Sequence, residues 1–148
     1  MKTLAATALA WPLLLASVVW TRQDGSQPLW TTAVYLIGSR ICHQLADRSF
    51  HTNGVQWPVC ARCAGLYLAA PVGAVVALVA RQRPRLWHAS AWPIFIGAAV
   101  PTMATLAIEW SGLGAPSNVV RAVAALPLGA AIAFLIVRTA GGRQEAIR

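Results

Sequence analysis

The sequence predicts an all-α, polytopic membrane protein: four transmembrane helices, with an interfacial or re-entrant helix in the first loop. Three observations predict it. Of the 148 residues, 57% are hydrophobic and 11% are charged, too little polar surface to clothe a soluble domain. Four charge-poor runs approach the ~20 residues needed to cross a ~30 Å hydrocarbon core. The basic residues flank those runs and form no patch interleaved with aromatics. The net charge of +8 therefore reads as a topology signal and as contact with lipid headgroups. The expected partner is the lipid bilayer, nucleic acid is not expected, and no protein partner is legible.

Residues 1–148 are read as one membrane domain. Span one, residues 3–21, is the uncharged "TLAATALAWPLLLASVVWT" between Lys2 and Arg22. Lys2 before an apolar run also suits a cleaved signal, but "LASVVWTRQ" sets Val and Trp where a cleavage site wants small residues, so an uncleaved helix is expected. A motif loop, residues 22–62, follows. Within it "LWTTAVYLIGSRI", Leu29 to Ile41, puts Trp30, Ala33, Val34, Ile37 and Ile41 on one helical face, in a run too short to span. This interfacial or re-entrant helix is either a lid packed on the bundle or the carrier of Cys42 and His43 to its end.

Span two covers 63–80, span three 88–108 up to Glu109, and span four 119–137, with Arg121 one turn inside its start. Pro12, Pro71, Pro101 and Pro127 fall inside spans and predict kinks. The Gly and Ala runs suit close helix packing. With the N-terminus inside, Lys2, Arg81, Arg83, Arg85, Arg138, Arg143 and Arg148 all lie on the cytoplasmic side, so both termini are expected there, in the cell membrane. Arg22, Arg40, Arg48 and Arg62 of the first loop oppose that bias unless they have local partners.

This topology gathers the first loop, the start of span two, Glu109, Asn118 and Arg121 on the exoplasmic face. All three cysteines lie in its stretch "ICHQLADRSFHTNGVQWPVCARCAGLY", Ile41 to Tyr67. Pro58 suits the first turn of span two. Cys60 and Cys63 then sit one turn apart at a helix N-terminus, where the dipole and Arg62 favour thiolate over thiol. Thiolates there bind metal or exchange disulfides, whereas inert cysteines would simply pack helices. Adding Cys42 and His43 completes the inventory of a Cys3His zinc site. Neighbouring residues diverge on a regular helix, so both ligate one ion only if the backbone turns; otherwise a carboxylate, His51 or water takes the fourth position. His51 reads as a loop residue, and His88 lies on the other face.

Around these ligands, Gln44 is placed to support the cluster. Arg48 and Ser49 either donate to a carboxylate or ligand headgroup, or brace the loop with Asp47. Glu109 is costly in lipid unless paired. Arg121 is its natural partner, with Asn118 bridging from one turn earlier; snorkelling of Arg121 to the interface is the alternative.

"CHQLADRSF" followed by "VCARCAGLY" resembles the signature of a family of small prokaryotic integral membrane proteins filed as a domain of unknown function: CHQ, a short spacer, RSF, then CxRCxG. Glu109 followed by "SNVVR", Ser117 to Arg121, resembles its second element, an acidic residue, then [ST]N, then an Arg opening a span. Here Glu stands where Asp is more usual, and "RAVAALPLG" replaces a more polar stretch. The resemblance covers roughly residues 40–130; it implies a membrane topology and a shared site, and no reaction.

Three functions follow. The first is a membrane-embedded metal protein, with zinc on Cys42, His43, Cys60 and Cys63. The second is a thiol oxidoreductase passing electrons from Cys60 and Cys63 to a quinone. Four helices, an inside N-terminus and a CxxC opening span two resemble the disulfide-generating thiol:quinone oxidoreductases. Those enzymes use a second cysteine pair, however, and this chain offers only Cys42. The third is a structural or assembly partner without catalysis. No Gly-rich phosphate loop or Ser/His/Asp set is present, and four acids leave little for paired-carboxylate chemistry.

Overall fold

A computed structural model describes residues 2–82 and 90–145, with side chains over 6–82 and 90–141. Its elements run in the order α1 (Lys2–Arg22), α2 (Leu29–Ile41), a 3-10 turn (Ala46–Arg48), β1 (Ser49–Thr52), β2 (Val55–Cys60), α3 (Ala61–Ala80), α4 (Ala91–Trp110) and α5 (Asn118–Glu145). The short helix of the first loop has the bounds its periodicity predicts. Arg83, Arg85, His88, Arg148 and the first residues of the expected third span lie outside the described residues.

One expectation is met in part and one is corrected. Among the described residues three helices, α3, α4 and α5, are long and apolar enough to cross a membrane. The helix α1 has 21 residues, of which the apolar stretch Ala6–Arg22 has its side chains described, so four spans are not shown. Nor is the chain all-α, because the motif loop folds into an antiparallel hairpin pairing Thr52 with Val55, His51 with Gln56 and Ser49 with Cys60. Asn53 and Gly54 make its two-residue turn at φ +51° and +80°, the positive-φ pair such hairpins demand. The ladder reaches Cys60, so Pro58 lies in β2 and α3 begins only at Ala61. Pro58 therefore does not occupy the first turn of the helix.

The long helices are brought together by small residues. A Cβ at Gly65 would overlap the carbonyl oxygen of Ala122, and one at Gly73 that of Ala130. With no side chain at these positions, the α3 and α5 backbones approach closely, which favours packing in lipid. At the hairpin end, Leu15 and Val18 of α1, Val34 of α2, Val59 of β2 and Ala64 of α3 form a buried cluster with Cys42 and Cys60. The joint between α1 and α2 is polar. Arg22 donates to Thr31 Oγ1 (3.1 Å) and Thr32 Oγ1 (3.2 Å), and its guanidinium lies 4.3 Å from the centre of the Tyr35 ring. Arg22 of the first loop thus has local partners.

Candidate functional site

Three elements deliver one cysteine each to a single spot. Cys42 caps α2 in extended backbone (φ −145°, ψ 137°), its N–H bonded to the Gly38 carbonyl. Cys60 ends β2 and precedes α3, and Cys63 lies one turn into that helix. Their sulfurs lie within 4.8 Å of one another. The Cys60 N–H donates to Cys42 Sγ at 3.1 Å. Cys42 and Cys60 are 7% and 5% exposed. A hydrogen bond from the Cys63 thiol holds Cys60 down at about 5, against the opposing effect of burial, with Cys42 and the nearby charge of His43 acting in the same direction as Cys63.

His43 is not brought into the cluster. Because Cys42 is extended, consecutive side chains point to opposite sides. The His43 ring is exposed, and its Nδ1 accepts from the Leu45 N–H at 3.3 Å. His51 is exposed on β1. Gln44, at φ +48°, turns inward beneath the cysteines and donates to the carbonyls of Tyr35 (2.9 Å) and Pro58 (2.6 Å), tying α2 to β2. Gln56 answers from the hairpin, its amide donating to the Gln44 carbonyl at 2.7 Å. The Tyr35 hydroxyl donates to the Gln56 carbonyl, and burial raises its pKa.

A second polar group joins α3, α4 and α5. Glu109 accepts from Arg121 Nε at 2.6 Å and from Arg62 Nη2 at 2.9 Å. Arg121 Nη1 donates to Asn118 Oδ1 at 2.8 Å, and Asn118 Nδ2 donates to the Ser49 carbonyl at 2.9 Å. The pairing of Glu109 with Arg121 is as the sequence predicts, whereas Asn118 links Arg121 to the motif loop at Ser49 and not to Glu109. Arg121 does not snorkel, its side chain being 8% exposed. The position of Arg62 differs from expectation: its guanidinium turns to Glu109 and Thr105, and not to the thiolates. Ser49 is buried and donates to the Leu45 carbonyl. Arg48 lies 3.8 Å from Asp47, both partly exposed.

Sequence reasoning missed Gln56, Thr102 and Thr105. Thr105 Oγ1 donates to the Thr102 carbonyl and Thr102 Oγ1 to that of Ala124, each at 2.9 Å, continuing the polar seam between α4 and α5. Two threonines one turn apart in an apolar span were the available signal. On the other side of α3, beneath the cysteines, an apolar cavity of about 400 Å³ is lined by Trp11, Leu66, Tyr67, Ala70 and Ile132, among others. The Trp11 and Tyr67 rings meet edge to face at 6.1 Å at its cysteine end.

These features define a class: a helical integral membrane protein whose non-spanning segment folds a cysteine cluster over the ends of its candidate spans. The chain belongs to the family described as "Predicted membrane protein (DUF2085)", whose model matches residues 42–135. It is 29% identical over 104 residues to an uncharacterized protein of Methanocaldococcus jannaschii, a match covering 70% of this chain and 66% of that one, just under two thirds of its length. It is 30% identical over 95 residues to an uncharacterized protein of Methanothermobacter thermautotrophicus, covering 64% of this chain and 83% of the relative. No solved structure matches the chain.

Proposed function

We propose that Cys42, Cys60 and Cys63 bind one zinc ion at the exoplasmic end of a four-span bundle in the cell membrane, with His43 or water as fourth ligand. The observation that carries this reading is three sulfurs within 4.8 Å of one another. A tetrahedral zinc with bonds of ~2.3 Å wants sulfurs about 3.8 Å apart, a small inward adjustment. Water suits the fourth position better than His43, whose ring the extended backbone turns away. The metal clamps the motif loop onto α3. Gln44 and Ser49 orient the loop, and Glu109 with Arg62, Arg121 and Asn118 holds the helix ends beneath it. Arg48 lies at the outer edge. Residues 1–148 act as one membrane domain. The 21 residues of α1, about 31 Å at 1.5 Å per residue, supply the fourth span, and both termini are cytoplasmic.

Elemental analysis of the purified chain tests this reading. About one zinc per chain is expected, with Cys60→Ser and Cys63→Ser each losing the metal and, because structural zinc contributes folding free energy, stability as well.

One pair of observations favours a second reading, a thiol oxidoreductase with quinone as electron acceptor. Hydrogen bonds from Cys63 and Cys42 draw the Cys60 pKa down, and the apolar cavity reaches Tyr67, one turn along α3 from Cys63. Metal-free protein with a reversible Cys60–Cys63 disulfide and quinone-dependent turnover would establish it. Protein with neither metal nor redox activity would leave a structural or assembly role.

A further inference from the structure

The end of the bundle that carries the cysteines holds more buried positive charge than its carboxylates balance. Arg62 and Arg121 share Glu109, and the three side chains are 14%, 8% and 6% exposed. The backbone on either side of Arg48 is tied to the same group. Asn118 Nδ2 donates to the carbonyls of Asp47 (3.3 Å) and Ser49 (2.9 Å), while Asn118 Oδ1 accepts from Arg121. The chain has four acidic residues. Asp24 is exposed beyond the end of α1 and Glu145 closes α5 at the opposite end. Three arginines at this end, Arg48 beside Asp47 and Arg62 and Arg121 on Glu109, thus have two carboxylates between them. Asp47 is a weak partner, 75% exposed and 3.8 Å from Arg48 Nε, too far for a hydrogen bond.

The hydrogen bonds are unbalanced in the same direction. The Nε atoms of Arg48 and Arg62 are both buried, and neither has an acceptor among the described residues. A buried donor without an acceptor is rare and calls for a ligand, ion or water. An uncompensated guanidinium at the edge of lipid is costly as well. Guanidinium groups suit phosphate, whose oxygens accept paired N–H groups and whose charge cancels theirs. Arg48, 38% exposed, leaves the group approachable from the interface.

We infer that Arg48, Arg62 and Arg121 form a binding site for a phosphate-class anion, the group carried both by phospholipid headgroups and by free phosphate. A phosphodiester brings one negative charge against the one positive charge left over. The site does not depend on the proposed metal. Its effect would be to anchor the motif loop, through Arg48, to the ends of α3 and α5 through an anion from the surroundings.

The test uses the full chain in neutral detergent, probed separately with a short-chain phosphatidylglycerol by native mass spectrometry and with inorganic phosphate by phosphorus NMR line broadening. Wild type is expected to bind at least one probe, and Arg48→Gln and Arg62→Gln are each expected to bind it about tenfold more weakly. Arg48→Gln leaves the contacts of Glu109 untouched, so its loss cannot be put down to misfolding. Binding of the lipid but not of phosphate assigns the anion to the membrane, and the reverse assigns it to the aqueous phase; either supports the site. The metal content of Arg48→Gln, measured on the same preparation, should equal that of wild type, which separates this site from the metal. The inference is overturned if neither probe binds, or if the probe binds both arginine variants as tightly as wild type.

Discussion

Glu109 is the residue on which most of the buried charge depends. With two arginines drawn to it and its side chain 6% exposed, Glu109→Gln strands both guanidinium groups. Breaking a buried pair by removing one partner costs about 3–5 kcal/mol. We expect a matching loss in thermal unfolding in detergent, whereas Arg121→Gln, which leaves the Arg62 contact in place, should cost less; equal and small losses would show that the group is solvated. The Glu109–Arg121 pair was legible in the sequence because lipid forces a lone carboxylate to find a partner at similar depth. The role of Arg62 was not. Its position between two cysteines suggested a thiolate partner, and only the fold, which brings Glu109 of α4 to 2.9 Å from Arg62 Nη2, shows the guanidinium leaving that side of the helix. His43 was legible as a difficulty, since adjacent ligands must diverge, but the direction it took depended on the extended conformation of Cys42.

At the level of elements, the most demanding contact is the crossing of α3 and α5. Gly73 has a backbone carbonyl where its Cβ would be, so no side-chain rearrangement relieves a substitution. Gly73→Val is expected to cost at least the roughly 1–3 kcal/mol of ordinary overpacking and to lower the unfolding midpoint; a midpoint equal to wild type would mean that these helices do not touch there. Apolar periodicity gave α2 its full bounds, and composition gave the three long helices. The hairpin was missed although Asn53-Gly54 is a strong turn signal, because the flanking strands are short and their alternation is broken by Pro58. The same oversight put Pro58 in a helix. Cys60 and Cys63 nevertheless sit at a helix start, since the strand hands over to α3 at Cys60.

For the whole molecule, the proposed topology requires the motif loop and the α4–α5 connection on one face. Single cysteines at Ser26 and Ser111, in a chain without native thiols, should both react with a membrane-impermeant reagent in whole cells. Reaction at one and protection of the other would separate the two halves of the site. The central claim is a metal held by three sulfurs, and X-ray absorption at the metal edge of the purified full chain tests it most directly. The expected spectrum is that of zinc with three sulfur neighbours at ~2.3 Å and one nitrogen or oxygen neighbour at ~2.0–2.1 Å. A chain without metal, or a metal with no sulfur neighbours, would contradict it.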